Sequence, residues 1–180
     1  MKFKLVILAF ITFVFTSKAQ QRFTTKTGTL LFEASTANFE PVAAKNTSTS
    51  AILKDDGSIA ILALIKGFRF KKSLMEEHFN EKFMESDTYS KAKFTGKIEA
   101  FNLDDLSENA KEYTVKGTLD IHGVKKPIET IISLKKEAGG IINLKTKFSV
   151  AIADFNIAVK SKIAKKIAKI VNIDANLDLK

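Results

Sequence analysis

At 180 residues the chain is long enough for one domain with a real core, and 29 Lys and Arg against 20 Asp and Glu give it a formal charge of +9. A hydrophobic fraction of 45% and a charged fraction of 27% exclude a disordered chain. The absence of Cys excludes disulfide scaffolds, thiolate metal sites and cysteine nucleophiles, and two His with no Trp leave few parts for catalysis.

Residues 1–19 read as an export signal. Lys2 and Lys4 form a positive start, a predominantly apolar run extends from Leu5 to Phe15, and Ser17-Lys18-Ala19 places small residues at the −3 and −1 positions of a cut before Gln20. The run is too short to span a bilayer core of ~30 Å as a helix. Removal takes three lysines, leaving 26 basic against 20 acidic residues, or +6, on a single domain of residues 20–180 destined for the periplasm or the exterior.

Strands dominate the rest of the chain. Gly28 to Ser35 alternates through Leu30 and Phe32, and Thr47 to Lys54 meets Ser58 to Lys66 across the turn signal Asp55-Asp56-Gly57. If Lys66 faces outward, Ile61, Ala63 and Ile65 face inward. Phe68 and Phe70 then fall on the opposite parity, and a bulge at Gly67 would return both rings to the interior. Ser73-Leu74-Met75-Glu76 has the form of a capping box, and Met75, Phe79 and Phe83 share one helical face. Together they predict a helix from Ser73 to about Glu85.

Strict period-2 patterns return at Phe94–Ala100, Tyr113–Ile121, Ile142–Val150 and Val171–Leu179, each with one polar face, and a further strand spans Ile128–Leu134 before a turn at Gly139-Gly140. Between the last two strictly alternating strands, Ile163, Ile167 and Ile170 share a helical face, predicting a second helix from Ser161 to Ile170 edged by Lys162, Lys165, Lys166 and Lys169. Seven to nine closely spaced strands with two short helices indicate an all-β, antiparallel barrel or sandwich, filled or hollow.

Catalytic constellations are sparse. His78 and Glu81 can share a helix face, but a metal site there needs a third ligand, and His122 is the other His in the chain. His122-Gly123 reads as a hairpin turn ahead of Val124-Lys125-Lys126-Pro127. No phosphate loop or nucleophile elbow is present, so the expectation is a binding protein rather than an enzyme, with no cofactor and no metal. The lysines from Lys160 to Lys169 lack the aromatic and Arg interleaving of a nucleic-acid site, and suit transient contact with an anionic membrane surface better. Aromatic residues are the informative feature. Four of the 15 Phe lie in the leader, and several of the other eleven sit on or beside inward faces, as an extended apolar ligand requires or as a filled core requires.

Leu74-Met75-Glu76-Glu77-His78-Phe79-Asn80-Glu81, the stretch Tyr89 to Phe94, Gly117-Thr118-Leu119-Asp120-Ile121-His122-Gly123-Val124-Lys125-Lys126-Pro127 and Asp154-Phe155-Asn156-Ile157 occur in an order and spacing that resemble the YceI-like family. The chain departs from many members at Ser90, where they carry Pro, and at Lys125, where they carry Thr, and it looks compact for the family. The resemblance implies an exported, lipocalin-like, extended antiparallel eight-stranded β-barrel that binds a polyisoprenoid or similar long-chain lipid in its interior. Leu30, Phe32, Ile61, Ile65, Phe68, Phe70, Phe94, Ile98, Val115, Leu119, Ile132, Phe148 and Val150 are the expected lining. A filled barrel acting as a stress-response or partner-binding protein without a small ligand is the alternative, and a metal-assisted enzyme around His78 and Glu81 a more distant third.

Overall fold

A computed structural model describes residues 20–161 and 163–180. The proposed leader, residues 1–19, and Lys162 of the basic cluster lie outside the described residues. Nine strands form in chain order: β1 (Arg22–Glu33), β2 (Ala43–Lys54), β3 (Ser58–Leu64), β4 (Arg69–Phe70), β5 (Lys91–Ile98), β6 (Lys111–Ile121), β7 (Val124–Lys136), β8 (Ile142–Ala151) and β9 (Ile170–Leu179). Each pairs antiparallel with its neighbours in the order β1-β9-β8-β7-β6-β5-β3-β2, and β1 pairs with β2 to close the ring. The fold is thus an eight-stranded antiparallel barrel, and β4 is a two-residue addition to the Ala44–Lys45 end of β2. Closure leaves no long unpaired edge, which matters for a sheet this size in a chain without disulfides.

The barrel has two unlike ends. At one, Leu53, Leu134, Ile142, Leu144, Leu177 and Leu179 are completely buried with Ile98, Val115 and Ile132. Phe101, Leu103 and Leu106, from the connection between β5 and β6, pack over this end. Burying a side chain of this size contributes about 1.5–3 kcal/mol, so the plug is the main store of stability. The two chain ends join it: Thr24 and Lys180 exchange both backbone hydrogen bonds, at 2.8 and 2.9 Å. The β2–β3 turn is also here, with Gly57 at φ 81°. Asp56 accepts from the Ser58 amide at 2.8 Å and hydroxyl at 3.0 Å, and these bonds hold its carboxyl below the usual carboxylate range.

At the other end, three long connections gather: residues 34–42, 65–90 and 152–169. The first of the structure's corrections lies here. No bulge at Gly67 turns Phe68 and Phe70 inward; a 3-10 turn over Ile65–Gly67 does so, ending β3 at Leu64. The Leu64 carbonyl accepts from Asn46 Nδ2 at 3.1 Å, a polar side chain with no exposure. A Cβ on Gly67 would stand 2.6 Å from that same nitrogen.

The capping box does not form either. Lys72 is the N-cap, without a side-chain hydrogen bond, and Glu76 instead takes the Phe70 amide at 3.2 Å and Arg69 at 2.8 Å. Helix α1 is α-helical over Ser73–His78 and widens to a π-helical turn over Phe79–Phe83, short of the expected Glu85. The predicted helix from Ser161 to Ile170 is absent: the described residues make isolated turns, and Ile170 opens β9. Lysines at 162 and 166, and at 165 and 169, would oppose each other one turn apart on a helix. The segment is tied instead to distant backbone, with Ala168 N donating to Ala34 O at 2.8 Å and Thr36 Oγ1 to Lys165 O at 3.2 Å.

Gly96 and Gly117 face each other across β5 and β6, and the Phe94 ring lies over both. A Cβ on Gly117 would stand 2.4 Å from the Thr95 carbonyl oxygen and 2.7 Å from the ring. The obstacle is backbone, so relief needs the strands to part. Gly117→Ala should therefore cost about 1–3 kcal/mol in denaturant unfolding; a variant as stable as the parent would contradict this packing.

Candidate functional site

Above the plug the barrel encloses a cavity of about 340 Å³. Ile59, Val115, Ile132 and Leu144, which also belong to the plug, form its floor. Its wall comes from alternate residues of the strands, and its upper rim from the three long connections. The volume falls in the range of small-ligand sites, roughly 300–1,000 Å³.

Twelve of the thirteen residues expected at the lining meet at this cavity: Leu30, Phe32, Ile61, Ile65, Phe68, Phe70, Phe94, Val115, Leu119, Ile132, Phe148 and Val150. Ile98 does not. It points inward as its parity requires, but lies lower, among the fully packed side chains of the plug. Alternation assigns a face and leaves height along the barrel open. Eight of the eleven Phe beyond residue 19 line the cavity, Phe79, Phe83 and Phe155 among them.

Four of these rings form a continuous wall. Phe32 lies 5.8 Å from Phe68 and 5.6 Å from Phe70, edge-on to both, and stacks on Phe79 at 5.3 Å; Phe79 in turn sits 5.1 Å from Phe70. Edge-to-face pairs of this kind contribute about 0.5–1.5 kcal/mol each beyond burial. They also hold the rings as a fixed surface. The π-helical turn is what delivers Phe79 and Phe83 to the rim, and Met75 and Met84 from the same connection add flexible thioethers to the lining.

Polar atoms are scarce in the wall. The Thr146 hydroxyl is committed to the Ile131 carbonyl at 2.8 Å. Lys93 and Lys166 reach the cavity margin and are exposed, and His78 is half-buried at the rim. Such a surface offers water too few partners and offers hydrocarbon a full set of contacts. His78 and Glu81 do not assemble a centre: Glu81 is exposed, and among the described residues no three His, Asp or Glu side chains gather as a metal site would need.

The other histidine has a bracing geometry that spacing alone concealed. His122 and Gly123 form the two-residue turn between β6 and β7, with φ of 52° and 74°. The His122 ring is packed 4.4 Å from Tyr89, Nδ1 donates to the Phe155 carbonyl at 3.2 Å, and Nε2 stands 3.6 Å from Glu85. A Cβ on Gly123 would strike the Tyr89 ring at 2.7 Å. Tyr89, His122-Gly123 and Phe155, drawn from three motifs distant in sequence, thus meet at one bracket beside the cavity. The lining also includes Ile157, Val159, Ile163 and Ile167, which the expected set lacks; the alternation from Phe155 to Val159 is the signal for the first two, and the helical spacing of Ile163 and Ile167 hides the others.

The family model described as the YceI-like domain matches residues 8–179. No curated protein matches the chain. Among solved structures, a polyisoprenoid binding domain from Saccharophagus degradans superposes with a TM-score of 0.79 at 17% identity, covering 90% of this chain and 99% of its own. BcnA of Burkholderia cenocepacia gives 0.69 at 16% identity, covering 84% and 96%. The Campylobacter jejuni YCEI protein gives 0.56 at 19% identity, covering 100% and 99%. At these identities the structural likeness speaks for the fold.

Because Phe148 borders empty space and Leu177 does not, their truncations should differ. Leu177→Ala should lose about 2–5 kcal/mol of stability, whereas Phe148→Ala should lose clearly less than the ~3–5 kcal/mol typical of a packed Phe. Equal losses in paired denaturant titrations would mean that the upper barrel is filled.

Proposed function

We propose a function for this chain, which belongs to the YceI-like family: it takes up the apolar chain of an isoprenoid or similar long-chain amphiphile into the barrel and leaves the polar head at the rim. The observation that carries this reading is the cavity itself, closed below by a fully buried apolar plug and walled by Phe, Ile, Leu and Val. Binding there is driven by apolar area removed from water, at ~25 cal/mol per Å². The rigid Phe32, Phe68, Phe70 and Phe79 surface suits a branched, methyl-studded chain, which keeps many carbon contacts on flat rings. The Saccharophagus degradans domain of like fold is described as polyisoprenoid binding, which supports the same ligand class here. The role is carriage or sequestration rather than catalysis.

Export belongs to the same proposal. The Lys2 and Lys4 start, the apolar run and the Ser17-Lys18-Ala19 site support cleavage before Gln20 and a periplasmic or secreted protein. The filled-barrel alternative finds no comparable support, since the void occupies the half of the barrel that the alternative needs packed.

Native mass spectrometry of freshly purified, exported protein tests both parts. The expected species begins at Gln20 and carries one apolar molecule, releasable by organic solvent and replaceable by an added long-chain isoprenol. Leu119→Glu should abolish that uptake, because Leu119 is buried on the apolar cavity wall and a carboxylate there is costly to desolvate. Protein that neither carries nor takes up an apolar chain would end the carrier reading; a mature chain beginning at Met1 would end the export reading.

A further inference from the structure

The cavity rim carries a second chemical pattern, and resting on the lipid-carrier reading we propose that it is a docking face for an anionic lipid bilayer, through which the ligand enters and leaves. Phe39 is 42% exposed and Leu74 58% exposed, in a protein whose other Phe are mostly turned to the interior. They sit on different connections of the same end. Lys72, next to α1, pairs with Glu40, so the loop bearing Phe39 is tied to the start of the helix bearing Leu74. The 152–169 connection is bound to that loop as well, through Ala168 to Ala34 and Thr36 to Lys165. It ends beside Ile170, itself 51% exposed.

Cations lie on the same connections as these apolar tips. Lys160, Lys165, Lys166 and Lys169 are exposed and form no ion pair among the described residues, and Lys71 precedes the helix. Of the carboxylates on these connections, Glu40, Glu76 and Asp87 are paired with Lys72, Arg69 and Lys66, and Glu77, Glu81, Glu85 and Asp154 are exposed, so the unpaired excess of positive charge lies on the 152–169 connection. Exposed apolar side chains beside an excess of unpaired lysine is a composition that settles at a headgroup layer, the lysines meeting lipid phosphates and the apolar tips reaching the acyl boundary. No long amphipathic helix is needed, because the tips are presented by three connections and their flanking elements, held together by Lys72–Glu40, Ala168–Ala34 and Thr36–Lys165. The arrangement also places the cavity opening against the membrane, so an apolar chain crosses between bilayer and barrel without traversing water. Lys166 belongs to both the basic cluster and the cavity margin, and marks where face and site join.

Vesicle flotation with the mature protein tests the face. Vesicles of equal parts phosphatidylcholine and phosphatidylglycerol should carry the protein upward, and vesicles of phosphatidylcholine alone should carry roughly tenfold less or below. Lys165→Glu with Lys169→Glu, and separately Phe39→Ser with Leu74→Ser, should each lower flotation about tenfold or more and slow isoprenol uptake from vesicles. Both variants should still fill the cavity when the isoprenol is supplied in detergent, which shows them folded and leaves the carrier reading intact. Flotation that is absent, equal on neutral vesicles, or unmoved by both double variants would overturn the docking face. A protein that floats as expected but never accepts the isoprenol, from vesicle or detergent, would instead overturn the carrier reading on which this face rests.

Discussion

Everything in this barrel depends on the plug of leucine and isoleucine at one end. A closed sheet without disulfides has to be held by apolar burial, and side chains bordering a cavity supply less of it than fully packed ones. Concentrating complete burial at Leu53, Leu134, Leu144, Leu177 and Leu179 lets the other half of the same strands stay open. Each strand therefore serves two purposes along its length. On β8, Ile142 and Leu144 are sealed in the plug, while Phe148 and Val150 face the void. The division also explains why the long connections crowd one end: they surround the cavity, and the sealed end needs little beyond short turns and the β5–β6 loop.

Keeping the inner face apolar around the whole ring takes irregularities at definite places. Strand β1 buries odd position Phe23 and then turns even positions Gly28, Leu30 and Phe32 inward, with register shifts against β2 between Thr25 and Leu30. Strand β2 makes the complementary switch, from Ala44 and Asn46 to Thr49, Ala51 and Leu53. The 3-10 turn at Ile65–Gly67 does the same for the path from β3 to β4. These breaks fall on neighbouring strands, where local twist increases and the wall bends. Asn46 satisfies the backbone that the break exposes, which is why a fully buried amide is tolerated there.

The long strands β6, β8 and β9 could be read directly from their alternation, because each keeps one polar face from end to end. That same regularity put Val115, Leu119, Phe148 and Val150 on the inner face. Strands β1 and β2 were legible only in part, since a parity switch erases the pattern at its own position. Ile98 was placed on the right face and at the wrong height, as periodicity carries no coordinate along the barrel axis. Ile163, Ile167 and Ile170 satisfied a helical period by coincidence of spacing, and long-range hydrogen bonds to Ala34 and from Thr36 decided otherwise. Whether the barrel was hollow was beyond alternation altogether. Alternation does not show that Gly96 and Gly117 meet across two strands with the Phe94 ring laid over them, which is a matter of register.

The pairing of Thr24 with Lys180 has a practical corollary for handling the molecule. Both ends of the described chain emerge beside the plug, at the pole opposite the rim. A tether, label or fused partner joined at Gln20 or at Lys180 would therefore leave the barrel at the plug end. On a derivatised surface or sensor chip such attachment would orient the population uniformly, with every opening facing the bulk phase. Joining the two ends through a short linker would give a circular chain in which new termini can be cut elsewhere, and the sealed half would keep the strands in register while the opposite loops are varied.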